Sequence, residues 1–166
     1  MALKMFADQP SDDKLSTRGK RGAKAPRIAR TPVGKGVFAG RRYEAAEIVG
    51  EIEGTVIDDL DYGSNYCMDL GDERCLEPAP PFRFMNHSCQ PNCQLHWFDI
   101  AAGPGVAAGR RMFVLALDQI AEGDQLTIDY AWPAHMAIPC RCRAPGCRGW
   151  IVAEEELAAV PNAFHL

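Results

Sequence analysis

No stretch of this 166-residue chain approaches the roughly 18 apolar residues that a membrane-spanning helix needs. Residues 1–30 hold no apolar core of a secretory signal, so a cytoplasmic or nuclear setting is expected. Aromatic residues make up only 8% of the chain, against 47% hydrophobic residues overall, which implies a real but mostly aliphatic core. No long apolar stretch repeats at the 3.6-residue period, which disfavours a helical bundle. The cysteines number seven, an odd count that does not suit a closed disulfide framework, and the Cys-x2-Cys pair of common zinc motifs is absent. A reducing compartment with metal-bound thiolates suits this pattern better than a secreted scaffold.

What is present is unevenly distributed. Residues 1–30 carry eight Lys/Arg against three Asp, or +5, while the rest carries ten basic and nineteen acidic residues, or −9. Such a basic, polar segment is expected to be a flexible tail, with nucleic-acid contact or nuclear import as its functional alternatives. The acidic remainder would attract a cationic partner through long-range steering, although an ordinary soluble surface reads the same way.

From Thr31 the texture is β-rich. Val37-Phe38, residues 47–57, 66–70, 92–98 and 110–117 read as short strands among 15 Gly and 12 Pro, and 126–128 as another after the turn at 122–125. Residues 101–109 read as a hairpin connection, and 153–160 have helix-forming composition. The organisation expected is a tail (1–30), a β domain (31–135), a cysteine-rich segment (136–152) and a C-terminal extension (153–166).

Four motifs carry chemistry. Cys140-x-Cys142-x4-Cys147 offers three thiolates within eight residues, and a tetrahedral zinc site needs a fourth ligand. By spacing alone the candidates are Cys67, Cys75, Cys89 and Cys93, and buried free thiols are the alternative. Asn86-His87-Ser88-Cys89 sits within the run from Arg83 to Asn92; taken alone it is a glycosylation sequon, a thiol–imidazole pair or a set of satisfied core polar groups. Gly34-Lys35-Gly36 lacks the third glycine of a dinucleotide fingerprint and reads as a turn. Leu126-Thr127-Ile128-Asp129-Tyr130 ends on a tyrosine, and Tyr66 and Tyr62 are further aromatics that are equally readable as core.

In this order the four motifs, over about residues 31–151, resemble the SET-domain family of protein-lysine methyltransferases with its cysteine-rich post-SET tail. The resemblance implies a mainly β fold of small curved sheets in which the C-terminal segment threads a loop as a pseudoknot, exceptional among folds. It implies S-adenosylmethionine as methyl donor, with Gly34, Lys35, Gly36, Arg83, Asn86 and His87 lining its pocket, the glycines letting the backbone approach closely. It implies Tyr130 beside the transferred methyl, Tyr66 on the lysine channel with Tyr62 as competitor, and one zinc ion held by Cys89, Cys140, Cys142 and Cys147. Cys67, Cys75 and Cys93 are then left as small buried residues. Trp150 falls where the post-SET tail covers the cofactor, able either to pack on adenine or to anchor the terminal helix. Where many members carry Phe or Tyr two residues before the catalytic tyrosine, this chain has Ile128, whose shape leaves room for di- or trimethylation. The expected substrate is a lysine in a basic tail, such as a histone or histone-like protein. The alternatives are a catalytically silent peptide-binding module and a zinc-stabilised nucleic-acid-binding protein.

Overall fold

The computed structural model describes residues 24–59, 61–71, 73–104 and 107–160. The expectations about residues 1–23 and 161–166 lie outside these. The described chain is mainly β. Its strands are β1 (Arg27–Thr31), β2 (Gly34–Phe38), β3 (Ile48–Glu51), β4 (Gly54–Ile57), β5 (Met68–Gly71), β6 (Arg74–Pro78), β7 (Asn86–His87), β8 (Cys93–Ile100), β9 (Gly109–Ala116), β10 (Gln125–Ile128), β11 (Ile138–Pro139) and β12 (Trp150–Ile151).

They form small sheets ordered β1-β2-β10-β7, β3-β9-β8, β4-β6-β5 and β11-β12. The first of these positions the site. Strand β10 lies between β2, antiparallel with Leu126 opposite Val37, and β7, parallel with Thr127 opposite Asn86 and Ile128 opposite His87. The Gly-x-Gly, Asn-His and Ile-Asp-Tyr motifs are far apart in sequence and are thereby neighbours on one sheet. Asn92 holds this arrangement: its amide donates to Gln125 O at 2.9 Å and accepts from Thr127 N at 2.9 Å.

The main core is aliphatic, as composition implies. Val37, Val114 and Leu126 are fully buried among Val49, Ile52, Ile120 and Ile128, with Tyr43 and Phe82 as aromatic members. Each large apolar side chain taken from water contributes roughly 1.5–3 kcal/mol. A second, smaller core gathers Ala134, Ala137, Trp150, Val152 and Val160, with Leu157 against it.

Several expectations are corrected. Ordered structure begins before Thr31, because Arg27–Thr31 pairs with β2 and the Arg27 guanidinium lies 5.3 Å from the Phe38 ring centre. Polarity disguised this strand: β1 is an edge strand, where charged side chains are common. Residues 47–57 divide into β3, which pairs with β9 up to the Ile52 N–Met112 O bond at 2.8 Å, and β4, which pairs with β6. Strand β6 was not anticipated; it is the central strand of its sheet. The terminal helical segment is a 3-10 helix, Glu154–Ala159, rather than an α-helix. Cys93 is buried, and burial pushes its thiol up to about 12. Cys67 and Cys75 are not free buried thiols: both are half-buried and joined by a disulfide beside the β5–β6 hairpin.

Candidate active site and metal centre

Although β10 lies between β7 and β2, the Asn86 side-chain amide reaches β2 and donates to Lys35 O at 3.0 Å. Gly36 makes that approach possible, because a Cβ there would lie 3.1 Å from Asn86 Nδ2 and 2.7 Å from Thr31 Cγ2. Gly34 serves differently: its φ of 117° belongs to the region that side chains disfavour, while the space around it is open. The Lys35 ammonium turns away from this seam and lies 4.6 Å from the Phe84 ring centre.

Tyr130 follows β10 directly. Its hydroxyl donates to Met85 O at 2.7 Å, and its ring packs 5.4 Å from both His87 and Trp132. Burial pushes the phenol up to about 12, so it stays protonated at any ordinary pH. Tyr130, Ile128, Trp132, Tyr66 and Arg83 share the wall of a narrow channel of about 30 Å³. Trp132 is a channel residue that the sequence reading missed; its place two residues after Tyr130 was the available signal.

The channel adjoins a wider cavity of about 910 Å³, lined by Asp59, Tyr62, Asp69, Glu73, Glu77 and Arg74 among others. Asn65, Tyr66, Cys67 and Arg83 line both spaces, so Tyr66 stands where they meet, whereas Tyr62 lines only the wider one. Arg83 is committed here: its guanidinium stacks 4.3 Å from the Tyr66 ring centre and pairs with Glu77 at 2.9 Å.

The thiols of Cys89, Cys140, Cys142 and Cys147 lie within 4.8 Å of one another, with Cys89 and Cys140 Sγ 3.7 Å apart. A tetrahedron with zinc–sulfur bonds of about 2.3 Å has edges of about 3.8 Å, so the donor set fits zinc in number, softness and spacing. Burial pushes the Cys89 and Cys140 thiols up, while for Cys142 backbone N–H bonds outweigh burial and bring it to about 6. Trp150 follows the cluster by three residues, and its ring is buried in the second core against the terminal segment.

Two further groups link these centres and were not singled out by sequence. Asp129 receives a fork from Arg148, at 2.8 Å to Oδ1 and 2.7 Å to Oδ2. Burial opposes ionisation of Asp129, but the Arg148 fork and the Ala131 N–H outweigh it and hold the carboxyl well below its ordinary range. His87 itself is buried, with Nε2 3.3 Å from Cys89 Sγ and Nδ1 accepting from Tyr130 N at 3.2 Å.

The comparisons with known proteins agree with this layout. Trithorax from Drosophila virilis, a histone-lysine N-methyltransferase, is 27% identical over 176 residues, covering 86% of this chain and 4% of that protein. Human histone-lysine N-methyltransferase 2B is 30% identical over 136 residues, covering 71% of this chain and 5% of that one. The H3 lysine-4 specific enzyme of Schizosaccharomyces pombe is 43% identical over 70 residues, covering 42% of this chain and 7% of that one. The chain thus spans less than a tenth of the length of these relatives. Among solved structures, KRYPTONITE in complex with mCHH DNA, H3(1-15) peptide and SAH superposes with a TM-score of 0.65 at 24% identity, over 77% of this chain and 29% of that one. The SET domain model matches residues 34–131, over half the chain and including β2, β7 and β10 of the first sheet, and the chain belongs to the SET-domain family.

Proposed function

We propose that this chain is an S-adenosylmethionine-dependent protein-lysine N-methyltransferase acting on a basic protein tail such as that of a histone. One observation carries the reading: a protonated Tyr130 hydroxyl is fixed on Met85 O at 2.7 Å on the wall of a narrow channel that opens beside an acidic cavity. The named activity of the relatives and the H3 peptide in the KRYPTONITE complex support the substrate class. The wider cavity carries four carboxylates, from Asp59, Asp69, Glu73 and Glu77, against Arg74 and the Arg83 that pairs with Glu77, an acidic excess that suits a cationic peptide.

The methyl donor is assigned to the Asn86–Lys35 seam, where Gly36 lets the Asn86 side chain close on β2 and Gly34 leaves open space. When bound, S-adenosylmethionine supplies the activated methyl group on its sulfonium. Gly34, Lys35, Gly36 and Asn86 would hold it, with His87 contributing backbone groups. The remaining work belongs to the channel. A lysine amine, with an ordinary pKa of about 10.4, must be neutral to attack, and enclosure by Tyr66, Tyr130 and Trp132 disfavours its charged form. Tyr130 cannot act as a phenolate base. Its proton is given to Met85 O, so its lone pairs can face the amine and accept weak C–H···O contacts from the methyl. Positioning and electrostatics then supply most of the acceleration. Ile128 adds no hydroxyl to the channel wall, which favours more than one round of transfer. Zinc at the four thiols would fold residues 140–147 onto Cys89 and so close the C-terminal segment over the sheet.

Among the described residues no helix is long and apolar enough to cross a membrane, and the histone-directed relatives support a nuclear or cytoplasmic place of action. The test is transfer of labelled methyl from S-adenosylmethionine to core histones and to a lysine-containing peptide array. Transfer that disappears in Tyr130→Phe is expected. No transfer to any lysine peptide by zinc-loaded protein that binds S-adenosylmethionine would favour a silent binding module instead.

A further inference from the structure

His87 is only 2% exposed at its side chain, too enclosed to present its ring to a ligand. Its Nδ1 accepts the Tyr130 amide proton at 3.2 Å, so the neutral ring carries its own proton on Nε2, which faces Cys89 Sγ at 3.3 Å. The Asp129 Oδ1 contact at 3.4 Å is longer, and Nδ1 has one lone pair, already given to the amide. The imidazole therefore spans from a metal-ligand sulfur to the backbone of the channel tyrosine.

A second arm leaves the other side of the cluster. Arg148 follows Cys147 directly, is 10% exposed at its side chain and forks onto Asp129. Asp129 Oδ1 in turn accepts from Ala131 N at 3.0 Å, and Ala131 adopts a φ of 46° that an alanine rarely takes unaided. Tyr130 is thus gripped at its own amide by one arm and at both flanking residues by the other. The Arg148 Nε is buried without a hydrogen-bond partner, and a well-packed apolar pair is often as stable as a buried ion pair. Stability alone is a poor reason for such a fork; alignment is a better one.

We propose that His87 and Arg148 are positioning residues that hold the four-thiol cluster in register with Tyr130, so that an occupied metal site fixes the tyrosine of the channel. The catalytic consequence rests on the methyltransferase reading above; the mechanical coupling does not. Metal binding at Cys89 and Cys147 fixes the starting points of both arms. Metal loss releases Arg148 with its neighbour and slackens the grip on residues 129–131.

Amide hydrogen exchange, resolved by residue, tests this on the full chain in four states: zinc-loaded, chelator-treated, zinc-loaded Arg148→Met and zinc-loaded Asp129→Asn. In the loaded wild type the Tyr130 and Ala131 amides are protected. Chelation and either variant accelerate exchange roughly thirty-fold at Ala131, whose bond to Asp129 is charge-assisted, and about fivefold at Tyr130, whose bond to the neutral ring is weaker, while the buried Val114 and Leu115 amides of β9 stay protected. Arg148→Met keeps one zinc per chain, Arg148→Lys is intermediate, and the methyl-transfer rate falls with little change in KM for S-adenosylmethionine. Unchanged exchange at Tyr130 after chelation or in Arg148→Met overturns the proposal. So does parallel opening of β9, or loss of zinc from Arg148→Met, because Arg148 is then an ordinary stability or metal-retention contact. Exchange needs no turnover, so wild-type protein without methyl transfer would sink the proposed function while leaving the coupling to be decided by exchange.

Discussion

Replacing Gly36 with alanine tests the cofactor seam through a single added methyl group. The new Cβ would lie 2.7 Å from Thr31 Cγ2, 2.8 Å from Gln125 Nε2 and 3.1 Å from Asn86 Nδ2. These neighbours do not yield equally. The Gln125 amide ends a flexible side chain and can swing aside. Thr31 is β-branched and stiff, and its hydroxyl is already used in the β1–β2 turn by Val33 N at 3.3 Å. Asn86 is held to Lys35 O at 3.0 Å, so it must stretch or surrender that bond. Overpacking of this kind costs about 1–3 kcal/mol, and the bond itself contributes about 1 kcal/mol. Since the displaced Asn86 is the residue proposed to face the methyl donor, about 1.4 kcal/mol of the disturbance should appear as a tenfold weaker affinity.

Gly34→Ala is the comparison variant, because Gly34 belongs to the same proposed pocket but a methyl group there leaves Asn86 untouched. Its Cβ meets nothing within 4 Å, yet the φ of 117° strains any side chain. The cost, roughly 1–2 kcal/mol, falls on backbone conformation and should lower the melting temperature by about 4 °C in a domain of this size. Isothermal titration of S-adenosylmethionine into both proteins should give Gly36→Ala about a tenfold larger loss of affinity than Gly34→Ala. Equal losses would refute the idea that Asn86, held against Lys35, forms the binding wall.

Tyr130→Phe removes a hydroxyl bonded to Met85 O without changing the ring, so stability should fall by about 1 kcal/mol while methyl transfer drops at least about a hundred-fold; denaturant titration beside a transfer assay separates the two. Cys89→Ser should lower the bound zinc measured by atomic emission below one per chain, since it deletes one of four clustered sulfurs. The Asp129 carboxyl is held well below its ordinary range in the folded state, so its contribution is complete above the unfolded-state pKa of about 3.9 and is lost as the pH falls below it. Urea midpoints between pH 6 and pH 3 should therefore fall more steeply in the wild type than in Asp129→Asn. Ile128 is fully enclosed beside Tyr130, and Ile128→Phe should shift the products towards fewer methyl groups; wild-type protein yielding only monomethyl lysine at long times, by mass spectrometry, would defeat the assignment of room to Ile128.

What could be read in the sequence was whatever short-range spacing encodes. Asn86-His87 and Leu126 to Tyr130 each occupy a few consecutive residues, and the sheet order β2-β10-β7 sets them side by side with Gly34 to Gly36. Three of the four clustered thiols likewise lie within eight residues, and Cys89 was reached through resemblance rather than spacing. Strand β1 was hidden because Arg27 and Arg30 sit on an edge, where charge does not conflict with pairing. The Cys67–Cys75 pair was hidden because a separation of eight positions fixes no distance until the β5–β6 hairpin forms.

The polar links were hidden for a deeper reason. Arg148 and Asp129 are nineteen residues apart, and His87 and Tyr130 forty-three; nothing in the identity of an arginine says which carboxylate it will meet. Those partners exist only after the sheet places β7 against β10 and the cysteine segment folds back on Cys89. A buried, forked ion pair then forms where two chain segments arrive independently, and it rewards only the arrangement in which both have arrived. His87 shows how this changes a residue's meaning. Its place in the Asn-His-Ser-Cys motif suggested cofactor binding through nearby backbone groups, and its buried ring has a separate place, with a sulfur on one side and the Tyr130 amide on the other. Within that one motif, Asn86 faces the glycine strand while His87 and Cys89 face the C-terminal segment, so the proposed cofactor seam and the thiol cluster share four residues of one backbone and cannot shift independently.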